Sequence, residues 1–235
     1  MGETKRALIV GAHPDDIEFG AAGTIALWTD EGWDVRYVIA TRGERGVQDA
    51  RADLAAVGRL REEESRKAAA ICGVTIVTFL AYSDAQVAYG PALLRDLARQ
   101  FRLHRPHRLV SLDPDVVVSK RWLNHPDHRA VAAATLDTVL TGGTTGAIFP
   151  ELEIDEGLPP WRGLQDIWIM SAGESETAVD VATSIERKIA ALEAHPSQIG
   201  EWDVASDIRK WHSETGTAHG LAYAETFRVI SLTGS

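Results

Sequence analysis

Two short runs combine imidazoles and carboxylates in a way that can hold and use a metal ion: His13-Pro14-Asp15-Asp16 and His125-Pro126-Asp127-His128. Imidazole and carboxylate together suit zinc, and a catalytic zinc commonly takes three protein ligands and leaves one position for water. His13, Asp16 and His128 supply that number. Asp15 is then free to take a proton from water that the metal acidifies, while the metal polarises an amide carbonyl. His125 and His128 lie three apart and project on the same side of a starting helical turn. Only one of them has to touch the metal. His125 can instead steady a tetrahedral intermediate or protonate a departing amine, with Asp127 holding its ring and favouring the imidazolium. Zinc is a preference here, because two histidines and one carboxylate with open positions also suit ferrous iron. Taken alone, either run reads equally well as a turn or a helix cap. The case for a shared site rests on what brings the two together.

Apolar runs alternating with longer helical segments provide that, since this pattern gives a mostly parallel sheet with helices on both faces, a Rossmann-like α/β fold. Strands are expected at Ala7 to Ala12, Val35 to Thr41, Thr75 to Leu80, Leu109 to Leu112, Ile167 to Met170 and Phe227 to Leu232. Helices are expected at Ala21 to Asp30, Leu54 to Ile71, from Pro91 to about Phe101, at Pro126 to Leu140 and at Ile185 to Ala194. The first histidine run follows the first strand and the second follows the fourth. Open α/β sheets bind ligands at the carboxyl ends of their strands, so both runs are expected at one crevice. The Thr-Gly-Gly-Thr-Thr-Gly stretch and the Phe149 to Trp161 segment read as irregular surface chain.

The 235 residues are expected to form one domain, with 45% hydrophobic composition ample for a single core. A net charge of −10 and the absence of any Lys/Arg-rich stretch argue against nucleic acid as a partner. The N-terminal residues lack a long apolar signal core and no apolar run is long enough to span a bilayer, so a cytoplasmic protein without a membrane span is expected. Composition leaves room for a homo-oligomer. Cys72, the only cysteine, reads as a buried packing residue ahead of a helix-stopping Gly73. Of the seven tryptophans, Trp122 is the one placed near the second histidine run. His104, His107, His212 and His219 read as solvent-facing.

At the two histidine runs the chain resembles the PIG-L/LmbE-like N-acetylglucosaminyl deacetylase family, which is marked by Ala-His-Pro-Asp-Asp-x-Glu-x-Gly, here Ala12 to Gly20, and by a later His-Pro-Asp-His. The likeness continues through Thr41-Arg42-Gly43-Glu44, Arg61 and Glu64, Ala194-His195-Pro196-Ser197-Gln198 and Glu225-Thr226-Phe227. The resemblance implies a zinc held by His13, Asp16 and His128, Asp15 as general base, and His125 paired with Asp127. It also implies contacts from Glu44, Arg61 and Asp84 to the hydroxyls of an N-acetylated sugar or glycoconjugate. Two positions depart from the pattern: Leu123 stands where some relatives have an oxyanion-stabilising tyrosine, and Ala85 follows Asp84 where a glycine is common.

The activity these readings point to is hydrolysis of an N-acetyl amide on a GlcNAc-type sugar, with acetate released. An amidase acting on a thiol conjugate or a glycosylated natural product would use the same site. A dinucleotide-binding oxidoreductase is disfavoured, since Gly11, Gly20 and Gly23 lack the Gly-x-Gly-x-x-Gly spacing. A metal-stabilised binding or scaffold protein is the non-enzymatic alternative.

Overall fold

The computed structural model describes residues 3–118, 123–170 and 175–233. Trp122 therefore lies outside the described residues. Five parallel strands form the body of one sheet: β1 (Arg6–Gly11), β2 (Asp34–Thr41), β3 (Ile76–Tyr82), β4 (Arg108–Ser111) and β5 (Asp166–Met170). Two more, β6 (Thr177–Asp180) and β7 (Ala224–Ser231), add antiparallel at one end and complete the order β3-β2-β1-β4-β5-β7-β6. β1 is central, and its Ala7 to Val10 run is buried, as a strand covered on both faces must be.

The connecting helices are α1 (Asp16–Asp30), α2 (Leu54–Ile71), α3 (Pro91–His104) and α4 (Pro126–Thr138), the last continuing into a π turn at Val139–Gly143. A short α5 (Pro150–Ile154) precedes β5, and α6 (Ile185–Glu193), α7 (Pro196–Ile199) and α8 (Val204–Ala218) lie between β6 and β7. The chain lays β1, β2 and β3 side by side in one direction and then β4 and β5 in the other. The winding reverses between β1 and β4, which opens a crevice beyond their carboxyl ends.

Local chemistry explains the helix ends. Asp53 caps α2 by accepting from the backbone N–H groups of Ala55 and Ala56, and Gly73 stops it at φ +83°. Cys72 is fully buried. α1 begins at Asp16, five residues before the expected start. Its Gly20 and Gly23 are not breaks: a Cβ at Gly20 would lie 2.5 Å from Met170 Sδ, and one at Gly23 would lie 2.9 Å from Val181. The glycines let α1 approach β5 and the end of β6 closely. The Phe149 to Trp161 stretch is largely irregular, as expected, yet it is pinned. Buried Arg102 donates to the carbonyls of Phe149 and Leu158 at 3.4 and 3.3 Å, and to those of Gly142, Thr145 and Ile148 just before it at 2.7, 2.9 and 2.8 Å.

The expectation that His104 and His107 face solvent is corrected: both are buried. His104 Nδ1 accepts from Arg36 and His107 Nδ1 accepts from the Arg6 backbone N–H. His212 is half-buried and His219 exposed. No described helix is long and apolar enough to cross a membrane.

Candidate active site

The two histidine runs meet at the crevice. The first occupies the turn from β1 into α1, and the second caps and opens α4. Asp15 sits at φ +100°, a left-handed conformation costly for a residue with a Cβ, and this lifts its carboxylate ahead of the helix. Asp16 Oδ2 accepts from the backbone N–H groups of Ala12 and His13, both at 2.8 Å, so the carboxylate also shapes the turn.

His13 Nδ1 lies 3.1 Å from His128 Nε2 and 3.7 Å from Asp16 Oδ2, and His128 Nε2 lies 3.0 Å from Asp16 Oδ1. These edges bracket the ~3.3 Å ligand spacing of a tetrahedral ion with bonds of about 2.0 Å. The far nitrogens fix the tautomers. His128 Nδ1 is 3.0 Å from Asn124 Oδ1, and His13 Nε2 lies 3.2 Å from Asp127 Oδ2 and 3.1 Å from Asp84 Oδ1. Each far nitrogen has an acceptor and donates to it, which leaves the lone pairs of His13 Nδ1 and His128 Nε2 facing each other. Only a proton or a metal ion between them relieves that opposition. Burial works against charge on His13, but hydrogen bonds to Asp127, Asp16 and Asp84 outweigh it and raise its pKa to about 12. Burial likewise opposes charge on Asp16, yet the His128 and His13 rings hold its carboxyl well below the ordinary range. The donor set calls for a cation, and a divalent ion fits.

Two other triads of donor atoms share His13: His13, His125 and His128, and His13, Asp84 and Asp127. Their remaining valences are spent elsewhere. Asp127 accepts from the backbone N–H groups of Ala85 and Val87 at 2.8 and 3.1 Å, Asp84 Oδ2 accepts from Arg45 N at 2.8 Å, and His125 Nδ1 accepts from Asp127 N at 3.2 Å. Asp84 and Asp127 therefore stand behind His13 as its hydrogen-bond partners. The expected pairing of His125 with the Asp127 carboxylate is not made, because that carboxylate is turned toward His13 and the Ala85–Val87 backbone. His125 lies edge-on to His13, ring centroids 4.7 Å apart, and burial followed by the His13 charge lowers its pKa.

Arg61 is buried. Its guanidinium donates to Gly43 O at 2.6 Å, Pro14 O at 2.9 Å and Asp15 Oδ2 at 3.2 Å, joining the two loops that frame Asp15. Burial and the adjacent Asp16 charge push the Asp15 carboxyl up to about 7, against the pull of Arg61 and His195. Glu44 Oε1 accepts from Asp84 N at 3.0 Å, and Glu44 lines a neighbouring hollow. A cleft of about 350 Å³ opens over His13, Asp15, Asp16, Arg61, Asp84, His125 and His128, with Arg45 and Gly46 at its margin. Asn124, which orients His128, was not singled out from the sequence; its place directly before the second run was the available signal. His195 is fully buried, its Nε2 3.5 Å from Glu18 Oε2 on α1.

Residues 8–139 match the family described as PIG-L: GlcNAc-PI de-N-acetylase. The chain belongs to the PIG-L family. Among its relatives, the diacetylchitobiose deacetylase of Thermococcus kodakarensis is 28% identical over 236 residues, covering 98% of this chain and 85% of the relative. The 1D-myo-inositol 2-acetamido-2-deoxy-alpha-D-glucopyranoside deacetylase of Mycobacterium sp. (strain KMS) is 30% identical over 239 residues, covering 83% and 74%. The solved structure of N,N'-diacetylchitobiose deacetylase from Pyrococcus horikoshii, complexed with its inhibitor MPG, superposes with a TM-score of 0.88 at 27% identity, covering 97% of this chain and 85% of that one. This PIG-L protein is an amide hydrolase of the deacetylase type, and the crevice at the β1/β4 reversal carries the donor groups for a metal ion.

Proposed function

We propose that the protein removes the N-acetyl group from a GlcNAc-type amino sugar or glycoconjugate, using a zinc ion held by His13 Nδ1, Asp16 and His128 Nε2. The observation that carries this reading is the pair of opposed imidazole lone pairs beside an ionised Asp16, with Asp15 held at their margin by Arg61. When bound, a divalent ion supplies a Lewis acid for the amide carbonyl and lowers the pKa of water.

The chain's own groups do the rest. Asp15 accepts the proton of the attacking water, and Arg61 fixes the carboxylate for that transfer. His125 presents its Nε2–H to the cleft, because its Nδ1 is occupied by the Asp127 N–H. That N–H stabilises the developing oxyanion, and the proton Asp15 took from the water passes to the nitrogen as the C–N bond breaks, giving acetate and free amine. Arg61 and Asp84 line the cleft where sugar hydroxyls would lie, while Glu44 supports Asp84 from behind.

The test is metal analysis and acetate release on one preparation, chelated and then reloaded with zinc, ferrous iron or cobalt, across a panel of N-acetylated sugars. One ion per chain with restored release is expected. Asp15→Asn should keep the ion and lose roughly 10²–10⁴ in kcat. An ion-loaded, folded protein that releases acetate from no sugar would sink the reading.

A further inference from the structure

The guanidinium of Arg61 lies where side chains of Gly43 and Gly46 would be. Gly46 N–H donates to Gly43 O at 3.0 Å and closes a tight turn. A Cβ on Gly43 would collide with Arg61 Nη1, and one on Gly46 would lie 2.5 Å from the same atom and 3.1 Å from Gln198 Oε1. The two glycines therefore admit the guanidinium into the turn, and Gln198 stands beside it. Because Arg61 also donates to Pro14 O and Asp15 Oδ2, a displacement of this turn is passed on to the Asp15 carboxylate.

What holds the turn from outside is the short α7 with the histidine before it, the His195-Pro196-Ser197-Gln198 segment to which neither the metal chemistry nor the proton transfer assigns a part. Gln198 Nε2 reaches the carbonyl of Gly46 at 3.4 Å, and Gly46 is at the margin of the cleft. Ser197 donates through its hydroxyl to Glu64 Oε2 at 2.5 Å and through its backbone N–H to Glu64 Oε1 at 3.0 Å. Glu64 is buried and lies three residues beyond Arg61, on the same side of α2. Burying a carboxylate is costly unless its oxygens are satisfied, and Glu64 gives both of them to Ser197. His195 reaches Glu18 in the first turn of α1, and Pro196 at the first position of α7 stiffens the segment. Three side chains of one four-residue segment thus touch α1, α2 and the Gly43–Gly46 turn, the same three segments that Arg61 joins.

We infer that Ser197 and Gln198 are positioning residues for Arg61: by fixing α2 against the Gly43–Gly46 turn they hold the guanidinium, and through it the Asp15 carboxylate, in the orientation that the attacking water requires. This rests on the proposed deacetylation for its catalytic meaning, but the clamp itself can be read without turnover.

Ser197→Ala, Ser197→Thr and Gln198→Ala would be made in the parent and in Arg61→Lys, which keeps the charge and loses the fork. Each zinc-loaded protein would be assayed on the panel of N-acetylated sugars. In the parent, either alanine should lower kcat roughly tenfold, with KM, zinc affinity and the urea midpoint unchanged, and threonine should recover most of the loss. In the Arg61→Lys background the further loss should shrink to less than about twofold, since the fork on which both residues act is already gone. In parallel, amide hydrogen exchange over residues 42–47 should quicken about fivefold in Ser197→Ala and not in Ser197→Thr, with the remaining segments unchanged. A kcat that ignores both alanines, a loss of the same size in both backgrounds, or unchanged exchange over 42–47 overturns the positioning role. If the parent releases acetate from no sugar, the deacetylase reading falls and exchange alone decides the clamp: quickening confined to 42–47 supports it, and its absence overturns it as well.

Discussion

At Asp15 a single residue carries both backbone strain and the proposed base, and the two can be separated by substitution. Asp15→Ala and Asp15→Gly both remove the carboxylate and free one Arg61 contact, but only alanine keeps a Cβ at φ +100°. The left-handed conformation costs about 1–2 kcal/mol for an L-residue, and the greater unfolded-state entropy of glycine returns part of it. The glycine protein should therefore be more stable than the alanine protein by ~0.5–1 kcal/mol in urea denaturation, with both inactive. Equal stability would mean the turn relaxes around alanine. A second prediction concerns Asn124. It accepts from His128 Nδ1–H and so presents the Nε2 lone pair, and Asn124→Ala should weaken zinc binding roughly 10–100-fold in chelator competition while leaving the fold intact. An unchanged affinity would remove Asn124 from the metal site. That the two His-Pro-Asp runs meet at one crevice was readable because they sit in a βα pattern. Asn124 was not, since an amide before His-Pro reads as a turn residue until its partner ring is placed.

Element by element, what the sequence hid were the contacts made late in the chain. β6 is a four-residue strand of half-buried and exposed residues, without an apolar run to mark it, and it exists through pairing with β7. α8 is capped by Asp203 and buries Val204 and Ile208, but its polar faces masked the period. Both help to build the anchor around Glu225. Its carboxylate accepts from Lys188 Nζ at 2.7 Å and from the backbone N–H groups of Gly23 and Thr24 at 3.0 and 2.7 Å, while Lys188 Nζ also donates to Phe19 O at 2.6 Å. One buried ion pair thus fastens α6 and β7 to the helix that begins at Asp16. Removing one partner strands the other charge in the interior, which costs about 3–5 kcal/mol. Lys188→Met should show a loss of that order in urea denaturation. A loss under ~1 kcal/mol would show that Glu225 is satisfied by the α1 backbone alone.

Across the whole molecule, the mostly parallel sheet was legible because it follows from the alternation of elements, whereas the buried histidines were not, because their partners are distant in sequence. His104 meets Arg36 across the fold, and His212 lies near Lys188. Their burial sets a pH dependence for the entire fold. Burial first, and then the charge of Arg36 or Lys188, lowers both imidazoles to about 4 from an ordinary 6.5. A group harder to protonate when folded leaves the unfolded chain binding more protons, so stability is full above pH 6.5 and erodes as pH falls toward 4. Glu225 extends the loss. Burial opposes its charge, but Lys188 holds its carboxyl below 4.5, so its contribution is present above that pH and disappears as acid titrates the folded group. His195 acts in the opposite sense. Despite burial, Glu18 and Asp15 raise its pKa, so its contribution is present below 6.5 and is lost as pH rises through the folded value. Away from the cleft, three depressed histidines (His104, His107 and His212) against one raised (His195) predict a net fall in the urea midpoint between pH 6.5 and 4, measured with zinc in excess. His104→Gln should flatten that fall, because glutamine keeps an acceptor for Arg36 and cannot be charged. If the slope is unchanged, His104 becomes protonated in the folded protein as readily as in the unfolded chain, and the acid sensitivity belongs to the other groups.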